Sequence, residues 1–157
     1  MNNLQLTVFA EPFSINKAYY LKSYGSMSAT KVRTKECREW GDKILFQFEK
    51  YSNDFKQFKE CFNEDTDALR IELTYNIPRD YYYTKEGKIS LRSCDLTNVE
   101  KLLVDILCDE RFNGRYLNGN KILNLNINDK YITELFSEKK PSDKEYKIII
   151  KIIKIPK

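Results

Sequence analysis

Residues 95–107 read DLTNVEKLLVDIL, and both fold and function turn on how this stretch is read. Asp95 opens it as a carboxylate able to cap a helix. Leu96, Val99, Leu102, Leu103, Ile106 and Leu107 then recur at three- and four-residue spacing, so one face of the helix is a continuous apolar stripe. Asp95, Asn98 and Lys101 follow one another by three residues, which brings them near one end and side of the helix, over its electropositive N-terminus. A capped, core-packed helix with a solvated polar face satisfies the same pattern. The flanking sequence therefore has to decide whether that face is chemical.

Immediately before it, residues 79–94 (RDYYYTKEGKISLRSC) carry Arg79, Lys85, Lys88 and Arg92 with three consecutive tyrosines. A basic, aromatic loop against a carboxylate helix suits the holding of a phosphodiester, while a surface loop with packed tyrosines is the plainer alternative. Residues 69–77 (LRIELTYNI) alternate and end at Pro78, the pattern of a strand. Upstream, Thr34 or a neighbour starts a helix running to about Tyr51, with Trp40, Ile44, Leu45 and Phe48 on one face; residues 52–68 extend it and then form a loop. Between Ser14 and Arg38 the chain sets Lys17, Lys22, Lys31, Arg33, Lys35 and Arg38 against one acid, Glu36, interleaved with Tyr19, Tyr20 and Tyr24. Such cations, hydroxyls and tyrosines contact phosphate and sugar, although a solvated basic loop has the same composition. Leu4–Ala10 alternates as a first strand.

Downstream, Cys108–Lys121 is turn-rich with two Asn-Gly pairs, Ile122–Ile127 alternates as a strand, and Ile148–Ile155 is a largely buried strand after a loop around Pro141. The expectation is one α+β domain over residues 1–157, with two main helices packed on a mixed sheet.

Composition narrows the chemistry. The 157 residues suit a single core, and a net charge of +4 is too small to prove a polyanion partner by itself. Histidine is absent, which removes Ser-His-Asp and Cys-His catalysis and His-ligated zinc. Four cysteines without a CxxC pair point to free thiols and an intracellular, cytoplasmic protein, and no apolar run is long enough to span a membrane.

The segment DLTNVEKLLVDIL resembles the DxDNxxK…xDAL signature of the RusA-type Holliday-junction resolvases. The resemblance continues through PFSINKAYYLKSYGSMSATKVRTKECREW (12–40), which looks like that family's opening, and LNGNKILNLNINDKYI (117–132), which stands where the family has paired aspartates and a following strand. It implies a homodimeric endonuclease of bacterial or phage origin, dependent on magnesium or manganese, that binds and nicks four-way DNA junctions. Asp95 matches the first aspartate of the signature, Asn98 its asparagine, Lys101 its lysine and Asp105 the later aspartate. Thr97 stands where the second catalytic aspartate belongs, and Asn118, Gly119 and Asn120 stand where the paired aspartates supply the third.

Catalytic roles thus fall to Asp95, Thr97, Asn98 and Lys101, and metal ligation to Asp95, Asn118, Asn120, Asp105 and Asp109, with Glu110 and Glu100 as further acids. DNA contacts fall to Asn16, Lys17, Tyr19, Lys22, Lys31, Arg33, Arg38, Lys85, Lys88 and Arg92. Loss of two carboxylates from a set of three weakens both ion attraction and water activation. Three readings stay open: a junction nuclease, a junction binder that does not cut, and a protein-interaction module.

Overall fold

Thr34 accepts a hydrogen bond on its side chain from the Cys37 amide and so starts α1, Lys35–Phe48, as the sequence predicts. The structure is a computed structural model and describes residues 1–23, 25 and 30–157; Tyr24 of the basic stretch lies outside the described residues. In chain order the elements are β1 (Asn3–Val8), β2 (Tyr19–Lys22), β3 (Thr30–Arg33), α1, α2 (Ser52–Glu60), β4 (Asp67–Pro78), α3 (Arg79–Tyr82), α4 (Leu96–Cys108), β5 (Arg115–Leu117), β6 (Asn120–Ile122), β7 (Ile132–Ser142) and β8 (Lys147–Pro156).

The main sheet runs β1-β8-β4-β7, with β1, β8 and β4 antiparallel and β4 parallel to β7. Parallel neighbours need a crossover, and α4 supplies it between β4 and β7. This is the expected α+β domain with a mixed sheet. One sheet face buries Leu4, Leu6 and Val8 of β1, Leu69, Ile71, Leu73 and Tyr75 of β4, and Ile148, Ile150 and Ile152 of β8. Against it lie the apolar stripes of α1 (Cys37, Trp40, Ile44, Leu45, Phe48) and α4 (Val99, Leu102, Leu103, Ile106, Leu107), in one core cluster. At about 1.5–3 kcal/mol for each large apolar side chain buried, these stripes rather than helix propensity hold α1 and α4 in place. All four cysteines are free thiols. Among the described residues no helix is long and apolar enough to cross a membrane.

Three stretches fold otherwise than their sequence suggests. Ile122–Ile127 is no strand of the sheet: Asn120–Ile122 pairs with Arg115–Leu117 in a separate hairpin, and residues 123–128 run on without a ladder. Its alternation records burial of Leu125 and Ile127 in a segment that closes the C-terminal end of α4, where the Leu125 amide donates to the Leu107 carbonyl. Conversely, the stretch around Pro141 is no loop but the end of β7. The side chains of β7 are half-buried or exposed and none is fully buried, so its backbone pairing with β4 is what makes it a strand, and an edge position tolerates its proline. The basic stretch after Ser14 is also more ordered than a loop, since Tyr19–Lys22 and Thr30–Arg33 form a hairpin.

Candidate functional site

Asp95 is the N-cap of α4, and three predicted site residues meet there. Its Oδ1 accepts from the Thr97 amide at 3.1 Å and the Thr97 hydroxyl at 2.8 Å, and its Oδ2 accepts from the Asn98 side-chain amide at 3.0 Å. Thr97 therefore donates to Asp95 where a second carboxylate would repel it.

The approach to this cap is held from β7. Cys94 has φ +55°, an uncommon left-handed conformation for a non-glycine residue. Lys139 Nζ donates to the Ser93 carbonyl at 3.3 Å, the Ser93 hydroxyl at 2.9 Å and the Cys94 carbonyl at 2.9 Å, saturating an ammonium's three protons. Lys139 lies opposite Tyr75 in the parallel ladder, and so on the row that faces the helices. The sequence reading missed it, because a lysine is recognisable as inward-facing only once β7 is known to be a strand in this register.

Farther along α4, Lys101 Nζ stands 3.8 Å from Asp105 Oδ1. Asp105, Asp109, Glu110 and Asp129 line a cavity of about 500 Å³ together with Glu64 and Lys59. Burial, followed by the charges of Asp129 and Asp109, holds the Asp105 carboxyl above the usual range against the opposing Lys101 and Arg33. Hydrogen bonding from Arg111 does the reverse at Asp109. The Cys108 thiol in the same wall is pushed up to about 12 by burial, which makes it a core group and not a nucleophile.

The folded chain holds the Asp105 proton more tightly than the unfolded chain, so its ionisation costs stability as pH rises above the ordinary carboxylate range. Asp105→Asn is expected to raise the melting temperature near about pH 7 and to leave it unchanged below about pH 3, where the carboxyl is protonated in both states. Thermal melts at the two pH values check this, and a lowered melting temperature at neutral pH would contradict it.

The two acid groups do not meet. Ten residues of helix put Asp105 about 15 Å along the axis from Asp95, and Asp109 lies farther still. Asn118 and Asn120 are elsewhere again. Asn118 (φ +51°) and Gly119 (φ +83°) make the tight turn between β5 and β6, Asn118 sits beside Asp42, Lys43 and Gln47 of α1, and Asn120 donates to Glu49 at 3.2 Å. Among the described residues no three His, Cys, Asp or Glu side chains are grouped so as to hold a metal ion. The donors around Asp95, one carboxylate already accepting three hydrogen bonds, a hydroxyl and an amide, do not fit magnesium or manganese within a single chain.

The predicted DNA contacts fall into two sets. In the first, Lys31 Nζ lies 4.4 Å over the Tyr19 ring, Arg33 lies 4.9 Å over Phe112, and the Lys17 carbonyl accepts from Thr34. The Asn16 amide donates to Ser14 Oγ, while Lys22 and Arg38 are exposed. The charge of Arg33 acts on both Asp105 and Asp109, which puts this hairpin at the C-terminal end of α4. In the second set, Lys85 and Arg92 join Arg79, Tyr83, Thr84 and Ser90 around a cavity of about 640 Å³ that also has Asp80 and Glu86 in its wall. Lys88 is exposed beside it, its backbone bonded to Thr84. This second set leads into the Asp95 cap. The exposed side chains of Thr97 and Lys101 thus lie along α4 between the two basic sets.

In comparisons with known proteins, no family model and no curated protein sequence matches the chain.

Proposed function

We propose that the chain is a RusA-like protein that grips branched DNA through its phosphates and does not cut it from a metal centre of its own. The observation that carries this reading is the cavity of Arg79, Lys85 and Arg92 with three hydroxyl groups, where cations outnumber the acids Asp80 and Glu86, in the segment that leads along the chain into the N-terminus of α4. Cations and hydroxyls of that kind are the groups that hold phosphodiesters. The basic hairpin bearing Lys31 and Arg33 lies toward the other end of α4, so the grip spans about 15 Å, the length of several phosphates along one strand. At Asp95 the geometry is that of a helix cap, which supports binding over cleavage.

The test is a labelled four-way junction incubated with the protein and magnesium or manganese, with retardation and cleavage scored in the same samples. Retardation without nicking is the expected result. Metal-dependent nicking that Asp95→Asn abolishes would restore the nuclease reading, and failure to retard any DNA would leave the protein-interaction module.

A further inference from the structure

We propose that Asn118 is a site of self-modification, at which the amide nitrogen of Gly119 attacks the Asn118 side chain and converts it to an aspartyl or isoaspartyl residue. The inference goes beyond the DNA reading and does not depend on it. The chain has two Asn-Gly pairs, Asn113-Gly114 and Asn118-Gly119, and in both the glycine puts no side chain in the way of the attacking nitrogen. The structure separates them. At the first, the Gly114 amide donates to the Ile122 carbonyl at 2.8 Å and Asn113 Oδ1 accepts from the Asn124 amide at 3.3 Å, so nucleophile and electrophile are both held in hydrogen bonds. Lys121 Cε also stands 3.3 Å from where a Gly114 side chain would begin. At the second, Asn118 and Gly119 are exposed in the β5–β6 turn, and nothing lies within 4 Å of where a Gly119 side chain would begin. Neither the Gly119 amide nor the Asn118 side chain has a hydrogen-bond partner among the described residues. Ring closure requires the backbone to turn out of its left-handed conformation, and a surface hairpin of three residue pairs opens at small cost.

The Gly119 nitrogen gives its proton to solvent and bonds to Asn118 Cγ. The Cγ–Nδ2 bond breaks, and the side-chain nitrogen takes up a proton and leaves as ammonia, closing a cyclic imide. Water then adds to either imide carbonyl and breaks its bond to nitrogen, so water is consumed, ammonia is released, and nothing is oxidised or reduced. Opening at Cγ leaves an aspartyl residue, while opening at the main-chain carbonyl leaves an isoaspartyl residue with a backbone one atom longer. Either product sets a carboxylate beside Asp42 and Lys43 of α1 and lowers the net charge of +4 by one. The longer backbone cannot keep Leu117 opposite Asn120 across a two-residue turn, so the hairpin loosens from its contact with Glu49. The new carboxylate arises in the stretch where the resemblance calls for an acid, yet it stands against α1 and away from the Asp95 cap, so it completes no metal centre there.

Peptide mapping of the folded wild-type protein, aged at mildly alkaline pH without DNA, tests the site. Trypsin places the two asparagines in different fragments, residues 112–115 and 116–121. Mass spectrometry reads the replacement of NH2 by OH, fragmentation tells position 118 from position 120, and an isoaspartyl-specific methyltransferase labels the isoaspartyl product. Asn118 should react about tenfold or more faster than Asn113, because the hydrogen bonds at Asn113 and Gly114 must break first. In urea the two should react at similar rates, since both are followed by glycine and neither is held. Asn118→Gln, whose longer side chain cannot close the same ring, should leave fragment 116–121 unchanged in mass. Equal rates in the folded protein, a faster Asn113, a wild-type fragment 116–121 that keeps its mass, or a gain that survives Asn118→Gln would overturn the proposal.

Discussion

Lys139→Met is expected to lower the stability of the fold by about 3 kcal/mol, because it removes three charge-assisted hydrogen bonds and leaves their acceptors without a donor. Ser93 is fully buried, and the ammonium is the donor that reaches its carbonyl, its hydroxyl and the Cys94 carbonyl. Methionine keeps the unbranched stem and its packing, so the loss reports the hydrogen bonds and not a cavity. Cys94 sits in the left-handed region and leads directly into the Asp95 cap. The same variant should therefore speed hydrogen exchange in the first turn of α4 more than in β4. Urea unfolding and amide exchange read the two effects. A loss of less than about 1 kcal/mol, the worth of one ordinary hydrogen bond, would mean that the clamp is not holding this segment.

The double charge reversal Lys85→Glu with Arg92→Glu is expected to weaken junction binding on the order of a hundredfold at low salt and to reduce the slope of log affinity against log salt by about two. Each cation removed from a phosphate frees one condensed counterion fewer, and each carboxylate introduced into the cavity repels the backbone it once held. Both side chains are exposed, so the folded state should melt as wild type does. The loss should be the same for every junction sequence, since phosphate contacts carry no base information. Unchanged affinity would place the grip elsewhere and remove the cavity as support for the function.

Much of the fold was legible in the sequence wherever side-chain burial and backbone pattern coincide. α1, α4, β4 and β8 announce themselves because their apolar positions repeat with the period of the element. β7 does not, because its strand character comes from the ladder with β4 while none of its own side chains is fully buried and its apolar positions do not alternate. Residues 122–127 misled for the opposite reason: alternate burial of Leu125 and Ile127 occurs there without a strand partner. The site divides in the same way. Asp95 as a cap, with Thr97 and Asn98 beside it, is local and readable from spacing. The Lys139 clamp and the gathering of Asp129 near Asp105 depend on where a strand misread as loop begins and on its register, so no local pattern shows them.

A phosphate grip without a cutting centre in the single chain makes binding salt-dependent and leaves the DNA whole. The decisive measurement is the affinity of wild type for a four-way junction in magnesium between about 50 and 200 mM salt, with strand integrity checked in every sample. Six phosphate contacts, one each from Lys17, Lys22, Arg33, Lys85, Lys88 and Arg92, predict a fall in affinity of about a thousandfold over that range with the DNA left intact. Affinity that hardly changes with salt, or strands nicked wherever the protein binds, would contradict it.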